Sequence, residues 1–140
     1  MINYDKFHKA LNHLCLQFEN YQTLDNNLPE LLQSAVAESV IQRFEICYDC
    51  LWKVLKRYLK EELGIPDVPN SPKPIFRLAN ENSLFVSSIE QWLRYSEARI
   101  ATSHDYSGDK AYDSLKLMQD FINDADALYK TMQIELQNKA

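Results

Sequence analysis

The sequence predicts an all-α protein, an up-and-down antiparallel bundle of four or five helices. Only two glycines, Gly64 and Gly108, occur among 140 residues, too few to supply the tight turns of a β-sandwich or barrel. Apolar residues recur at spacings of three and four over long stretches, which is the helical period. A chain of this length buries one core, and no repeat of about 20–50 residues is present. We therefore expect a single domain over residues 1–140.

The first two helices are predicted from apolar stripes and from the turn residues between them. One stripe occupies residues 4–21 and consists of Tyr4, Phe7, Leu11, Leu14, Phe18 and Tyr21. Turn-forming residues at 25–29 break this helix. Residues 30–63 contain neither Gly nor Pro and predict a second helix about 50 Å long at ~1.5 Å per residue. Gly64 suits the position after its C-terminus.

The remaining elements follow from the prolines and from a return of the helical period. Four of the five prolines lie between Pro66 and Pro74, so this connector is not helical until its end. A short helix is predicted over residues 74–80, a break over 81–83, and a fourth helix over 85–103. A fifth helix begins near Asp109 and continues to the C-terminus. Short connections predict antiparallel neighbours.

Charge and hydropathy narrow the functional classes. The net charge of −5 removes any global electrostatic case for non-specific nucleic-acid binding. No apolar run approaches the ~20 residues of a membrane span, and the N-terminus does not resemble a signal peptide. We expect a cytoplasmic protein without membrane contact. Three cysteines, an odd number, favour a reducing compartment over a disulfide framework.

Neither a metal nor a cofactor is expected. Cys47 and Cys50 have the C-x-x-C spacing of redox and zinc sites, but they lie in the middle of the second predicted helix. We expect both to be reduced, metal-free packing residues. The chain has no Glu-x-x-His pair for a di-iron centre and no glycine-rich phosphate loop.

Two charged clusters are expected to lie on solvated surfaces. The basic cluster near the end of the second helix consists of Lys53, Lys56, Arg57 and Lys60. Contact of this cluster with a partner or with RNA is the open alternative. The acidic residues of the last helix are Asp109, Asp113, Asp120, Asp124 and Asp126. Their spacings do not place them on one stripe, so we expect them to serve solubility and not a metal.

Residues 99–106 concentrate an arginine, hydroxyls, an imidazole and a phenol. The apolar arc of the fourth helix is centred near Ile89, Leu93 and Ile100, which predicts a buried Ile100. Arg99 and His104 then lie at opposite edges of the arc. Five residues correspond to about 140° of rotation. The two side chains therefore meet only if the helix ends early or if a second copy of the chain supplies one of them.

Two interpretations of Arg99 and His104 remain open at this point. In the structural interpretation, Arg99 pairs with an acid such as Glu45 or Glu97, and His104 complements the dipole at a helix C-terminus. In the catalytic interpretation, the two groups cleave RNA without a metal. The imidazole moves the proton of the 2′-hydroxyl, and the guanidinium stabilises the phosphorane charge.

Two regions of the sequence resemble a known family. Residues 41–45 (IQRFE) and 51–56 (LWKVLK) resemble the long second helix of the nucleotidyltransferase substrate-binding protein family, a branch of the HEPN domains that includes the HepT toxins. Ser71-Pro72 resembles the opening of its short middle helix. Four residues match the later signature R-N-x-T-x-H-x-Y: Arg99, Thr102, His104 and Tyr106. The similarity covers nearly the whole chain.

The resemblance implies a HEPN-like bundle that forms a homodimer, with the Arg-to-His segments of both copies at the interface. It also implies a minimal nucleotidyltransferase as partner. In the toxin branch, the residues corresponding to Arg99 and His104 serve a ribonuclease, and the partner silences it by adenylylating the position of Tyr106. Thr102 and Ser103 are the predicted contacts to a nucleotide or RNA substrate.

The favoured function is therefore a partner subunit that binds the nucleotidyltransferase and presents a nucleotide or RNA substrate. A HepT-like ribonuclease toxin is the first alternative, and a purely structural helical dimer is the second. The family pattern has asparagine where this chain has Ile100, and an apolar residue near the phosphate counts against nuclease activity. A homodimer is also expected because Trp92 and Tyr95 are taken to be exposed and in need of cover.

Overall fold

The computed structural model describes residues 1–103 and 108–139, with side chains described up to residue 134. These residues form six α-helices: α1 (Asp5–Gln22), α2 (Glu30–Arg57), α3 (Pro72–Glu81), α4 (Ile89–Thr102), α5 (Asp109–Asp113) and α6 (Met118–Lys139). A π-helical turn (Tyr58–Glu62) extends α2, and a 3₁₀ turn (Ser114–Leu117) joins α5 to α6. The described residues contain no strand, which confirms the all-α prediction.

The long helix α2 forms the centre of the bundle, and α1 packs along it. The predicted stripe of α1 is buried, as shown by Phe7, Leu11 and Leu14. The regular part of α2 ends at Arg57, earlier than predicted, because the chain changes to π-helical hydrogen bonding at Tyr58. Gly64 then adopts a φ of +68°, a left-handed conformation in which glycine carries no steric penalty.

Three other boundaries differ from the prediction for local reasons. Helix α3 begins at Pro72, since proline is tolerated in the first turn. Helix α4 begins four residues late because the Ser88 hydroxyl accepts a hydrogen bond from the Gln91 amide at 3.3 Å and so caps it. The predicted last helix is interrupted at the 3₁₀ turn, where the Ser114 hydroxyl donates to the Ala111 carbonyl.

An aromatic cluster joins α2, α3, α4 and α6. Ring pairs within it meet edge to face or at a tilt, at centroid distances of 4.9 to 5.9 Å, the arrangement that ring quadrupoles favour. Its members are Phe44, Tyr48, Phe76, Trp92, Tyr95 and Phe121. Trp92 and Tyr95 are 1% and 0% exposed, so the prediction that they lie on an exposed surface is wrong.

Helix α4 is consequently rotated relative to the predicted arc. Its buried face contains Trp92, Tyr95, Ser96 and Thr102. Ile100 is 49% exposed, so the prediction that it is buried is wrong. The large rings exclude more apolar area from water than an isoleucine does, and they take the core positions. The rotation places Arg99 on the side that faces α2 and not at the edge of an apolar arc.

A buried carboxylate fastens α6 to α4. Asp124 is buried and accepts hydrogen bonds from the Ser87 hydroxyl at 2.6 Å and from the Tyr95 hydroxyl at 2.5 Å. Burial and the bond to Asp124 raise the pKa of Tyr95. For Asp124 the prediction of a solvated acid is therefore wrong, because this carboxylate is needed to pair a buried phenol.

Candidate functional site

A groove of about 650 Å³ opens between α2, the start of α3 and the last turns of α4. Its walls are formed by residues from all three helices: Tyr48, Asp49, Trp52, Ser71, Pro72, Lys73, Pro74, Arg77, Ser96, Arg99, Ile100 and Ser103. The volume lies within the ~300–1,000 Å³ that small-molecule sites occupy. The groove thus brings the second-helix region, the Ser-Pro segment and the arginine of the signature to one place.

Arg99 is held by two carboxylates of α2. Its Nη1 lies 2.8 Å from Oε2 of Glu45. Its Nε and Nη2 lie 3.3 and 3.2 Å from the two carboxylate oxygens of Asp49. Burial alone lowers the pKa of Arg99, but the hydrogen bond with Asp49 and the charges of Asp49 and Glu45 outweigh burial and raise it. The geometry shows Arg99 in the pairing with Glu45 that the structural interpretation allowed, with Asp49 as an additional partner.

Glu45 is the centre of this network. It is almost fully buried, and the same Oε2 atom that binds Arg99 also accepts a hydrogen bond from the Thr102 hydroxyl at 2.9 Å. The Arg99 carbonyl lies 3.0 Å from the same hydroxyl, so Thr102 shares its single proton between the two acceptors. The buried carboxylate of Glu45 and the buried hydroxyl of Thr102 are thereby paired, as buried polar groups need to be. Thr102 connects α4 to α2 beneath the groove, and its contact with a substrate stays a prediction.

The other residues of the signature are placed differently. Ser103 lies at the rim of the groove, where its hydroxyl donates to the Ile100 carbonyl at 2.7 Å. Ile100 is exposed on the same rim. His104 and Tyr106 lie outside the described residues. The catalytic role of His104 and the modification of Tyr106 therefore stay predictions.

Sequence reasoning missed several groups that line the groove. Asp49 follows Glu45 by four residues, and this spacing places both carboxylates on one face of α2. That pattern was the available signal for an arginine partner. Trp52 is half-buried in the groove wall, and Arg77 is exposed on α3. Lys73 forms an ion pair with Glu97, which removes Glu97 as the partner of Arg99.

The two cysteines with C-x-x-C spacing, Cys47 and Cys50, occupy packing positions in α2. Cys47 is fully buried, and Cys50 is half-buried. Burial raises the pKa of both thiols, which keeps them protonated and poor metal ligands at neutral pH. Among the described residues no three His, Cys, Asp or Glu side chains converge as metal ligands. Over the same residues, no helix combines the length and apolarity that a membrane crossing requires.

In the basic cluster, three of the four side chains contact neighbouring residues. The Nζ of Lys53 lies over the Trp52 ring, 5.9 Å from its centroid. Arg57 pairs with Glu61 at 2.8 Å on the surface, and Lys56 donates to Asn70 at 2.9 Å. Exposed pairs of this kind contribute little to stability. Lys53, Arg57 and Lys60 are exposed, which agrees with the prediction that this cluster lies on a solvated surface.

Comparison with solved structures identifies proteins of the same fold. A Haemophilus influenzae protein, described as showing the fold of a substrate binding domain of a nucleotidyltransferase, superposes with a TM-score of 0.83 at 24% identity. The match covers 94% of this chain and 99% of that one. A Thermus thermophilus protein gives a TM-score of 0.74 at 26% identity over 90% of this chain and 98% of that one.

Sequence comparison gives a consistent result. The chain is 27% identical over 107 residues to a protein of Haemophilus influenzae named probable ribonuclease HepT. The match covers 75% of this chain and 73% of that protein. The family described as nucleotidyltransferase substrate binding protein like matches residues 2–134. With nearly its whole length matched and the same helical fold, the chain belongs to this nucleotidyltransferase substrate-binding family.

Proposed function

We propose that the chain is the substrate-binding and partner subunit of a two-component system whose catalytic subunit is a minimal nucleotidyltransferase. Family membership supports association with a nucleotidyltransferase. The observation that carries the binding role is the groove, which gathers the family-like segments of α2, α3 and α4 around Arg99. Aromatic, hydroxyl and cationic side chains in one concave site are suited to a nucleotide or RNA substrate.

The state of Arg99 favours binding over RNA cleavage. One guanidinium faces two carboxylates, so the formal charge of the trio is −1, from +1 and −2. Three of the five N–H groups of arginine are directed at these acids. A group that stabilises a phosphorane needs donors aimed at the phosphate. Arg99 in this arrangement fixes the groove wall by joining α4 to α2.

A homodimer is part of the proposal. Ile46 on α2 and Ile100 on α4 are both exposed large apolar side chains. Asp49 lines the groove beside Ile100 and also lines a second depression beside Ile46, so the two apolar residues flank one surface. A second copy covering this surface removes both from water and brings two Arg99 segments together. Sedimentation at micromolar concentration tests the dimer, and a monomer there contradicts it.

A HepT-like ribonuclease is the second candidate, favoured by the 27% identical relative of that name. The candidate requires His104 to reach RNA near Arg99. His104→Ala and Arg99→Ala variants are expected to abolish RNA cleavage if this candidate holds, with losses of roughly a hundredfold or more. Ile100→Asn restores the residue of the family pattern. Since Ile100 is exposed, this change tests activity with little effect on packing.

Co-expression tests the partner role directly. A tagged form of this chain is expressed with the minimal nucleotidyltransferase that we propose is encoded next to it, and the retained proteins are identified by mass. We expect the nucleotidyltransferase to be retained in a defined ratio. The intact mass of this chain also shows whether an adenylyl group is attached, and Tyr106→Phe removes it if Tyr106 is the acceptor. Failure of the two proteins to associate contradicts the proposed function.

A further inference from the structure

The groove has an aromatic wall that the arginine signature does not explain. The chain contains two tryptophans. Trp92 is fully buried among aromatic rings, whereas Trp52 is half-buried and lines the groove. An indole face in a cleft is a stacking platform for a planar ring. Trp52 is therefore the tryptophan that a ligand in the groove reaches.

The charges of the groove indicate where an anion binds. Three cations line it, and two of them are paired: Arg99 with the α2 carboxylates and Lys73 with Glu97. Arg77 is exposed, lies one helical turn after Lys73, and has no hydrogen bond or ion pair with another residue in the described ranges 1–103 and 108–134. Its planar fork matches two phosphate oxygens at once.

We propose that the part of the groove between α2 and α3 is a nucleotide subsite, in which the base stacks on Trp52 and the phosphate binds Arg77. This inference rests on the proposed substrate-binding function and names the ligand class. Ser71 adds a hydroxyl on the α3 side of the same groove, and it makes no capping bond to its own helix. Base–aromatic stacking tolerates any base, so the subsite selects a nucleotide and not a particular sequence.

Calorimetric titration with AMP tests the subsite on the purified full chain. We expect saturable binding to the wild type, with Arg77→Ala and Trp52→Ala each weakening it roughly tenfold or more. Arg94→Ala is the matched control, because Arg94 is an exposed arginine on α4 that does not line the groove. Arg77 is exposed, so its removal leaves the fold intact and keeps the test valid if Trp52→Ala unfolds. A wild type that binds no AMP overturns the subsite, as does unchanged affinity in Arg77→Ala.

Tryptophan fluorescence locates the bound base. AMP is expected to quench wild-type emission, and Trp52→Phe is expected to abolish the quenching because buried Trp92 is not reached. Ribose 5-phosphate, which lacks the base, is expected to bind more weakly than AMP. Equal affinity for the two probes overturns the stacking role. Association with the nucleotidyltransferase is measured separately, so AMP failure with an intact complex removes the subsite and leaves the partner function standing.

Discussion

At the scale of single residues, Glu45 determines the geometry of the site. A carboxylate this deeply buried is unfavourable unless it is paired and hydrogen-bonded, and Arg99 and Thr102 supply both needs. The sequence named Glu45 as one of two candidate partners, but it did not identify Asp49. Asp49 and Arg99 are about fifty residues apart in the sequence, and their contact depends on how α2 packs against α4.

Removing the charge of Glu45 is expected to loosen this contact. Glu45→Gln keeps the shape of the side chain but loses the charge-assisted bond to Arg99. We expect a loss of about 1–3 kcal/mol in the free energy of unfolding, measured by urea denaturation. Glu97→Gln is the matched control, since that acid is largely exposed in its pair with Lys73, and it is expected to cost under about 1 kcal/mol. Equal losses in the two variants contradict the central role of Glu45.

Tyr48 is expected to make the stability of the folded protein depend on pH. Burial raises its pKa to about 12 from the usual 10, although the hydrogen bond with Ser96 acts in the opposite direction. Above pH 10 the unfolded phenol loses its proton while the folded one retains it, so the unfolded state binds fewer protons and stability falls as pH rises toward 12. Denaturation at pH 9, 10.5 and 11.5 checks this. Tyr48→Phe is expected to show a shallower decline, and an identical decline contradicts the assignment.

At the scale of elements, the helical period predicted where the helices lie but not the rotation of α4. Two apolar stripes are present on this helix, one through Ile89, Leu93 and Ile100 and one through Trp92 and Tyr95. The second stripe is buried because the rings of α3 and α6 surround it. The helices that pack against α4 determine which stripe is buried, and the sequence of α4 alone does not reveal them. The late start of α4 does have a local sequence signal, the capping residue Ser88, which the prediction of a start at residue 85 did not use.

The contact between α6 and α4 can be tested through Asp124. Asp124→Ala removes an acceptor of both the Ser87 and Tyr95 hydroxyls. We expect a loss of about 1–3 kcal/mol in the free energy of unfolding, because a buried phenol is left with poorer hydrogen bonding. Asp126→Ala, on the same helix, removes only a surface pair with Lys130 and is expected to cost less than about 1 kcal/mol. Thermal denaturation of the pair measures the difference, and equal melting temperatures contradict it.

At the scale of the whole molecule, the fold class and the family were predictable, but the groove was not. Glycine scarcity, proline placement and helical periodicity are properties of the sequence itself. The groove forms where Trp52, Arg77 and Arg99 come together from three helices. Their proximity depends on how these helices pack, which the spacing of residues along the chain does not predict. The signature predicted Arg99 as a site residue, and the structure places this arginine in the groove wall, held by acids of α2.

The apolar surface beside the groove predicts how copies assemble. Ile46→Lys places a charge on the proposed dimer surface and leaves the core unchanged, because Ile46 is 42% exposed. We expect the wild type to sediment as a dimer at micromolar concentration and Ile46→Lys as a folded monomer. Leu31→Lys is the control, since Leu31 is also an exposed apolar residue of α2 but does not line the groove or the depression beside Ile46. A Leu31→Lys monomer with an Ile46→Lys dimer contradicts the assignment of the surface.

We propose that this chain, a member of a nucleotidyltransferase substrate-binding family, acts as the binding subunit of such an enzyme. Native mass spectrometry of the chain co-expressed with the proposed nucleotidyltransferase partner measures both association and stoichiometry from the mass of the complex. We expect a complex that contains two copies of this chain together with the nucleotidyltransferase. Detection of this chain only by itself, beside a folded and separate nucleotidyltransferase, contradicts the proposed role as a partner subunit.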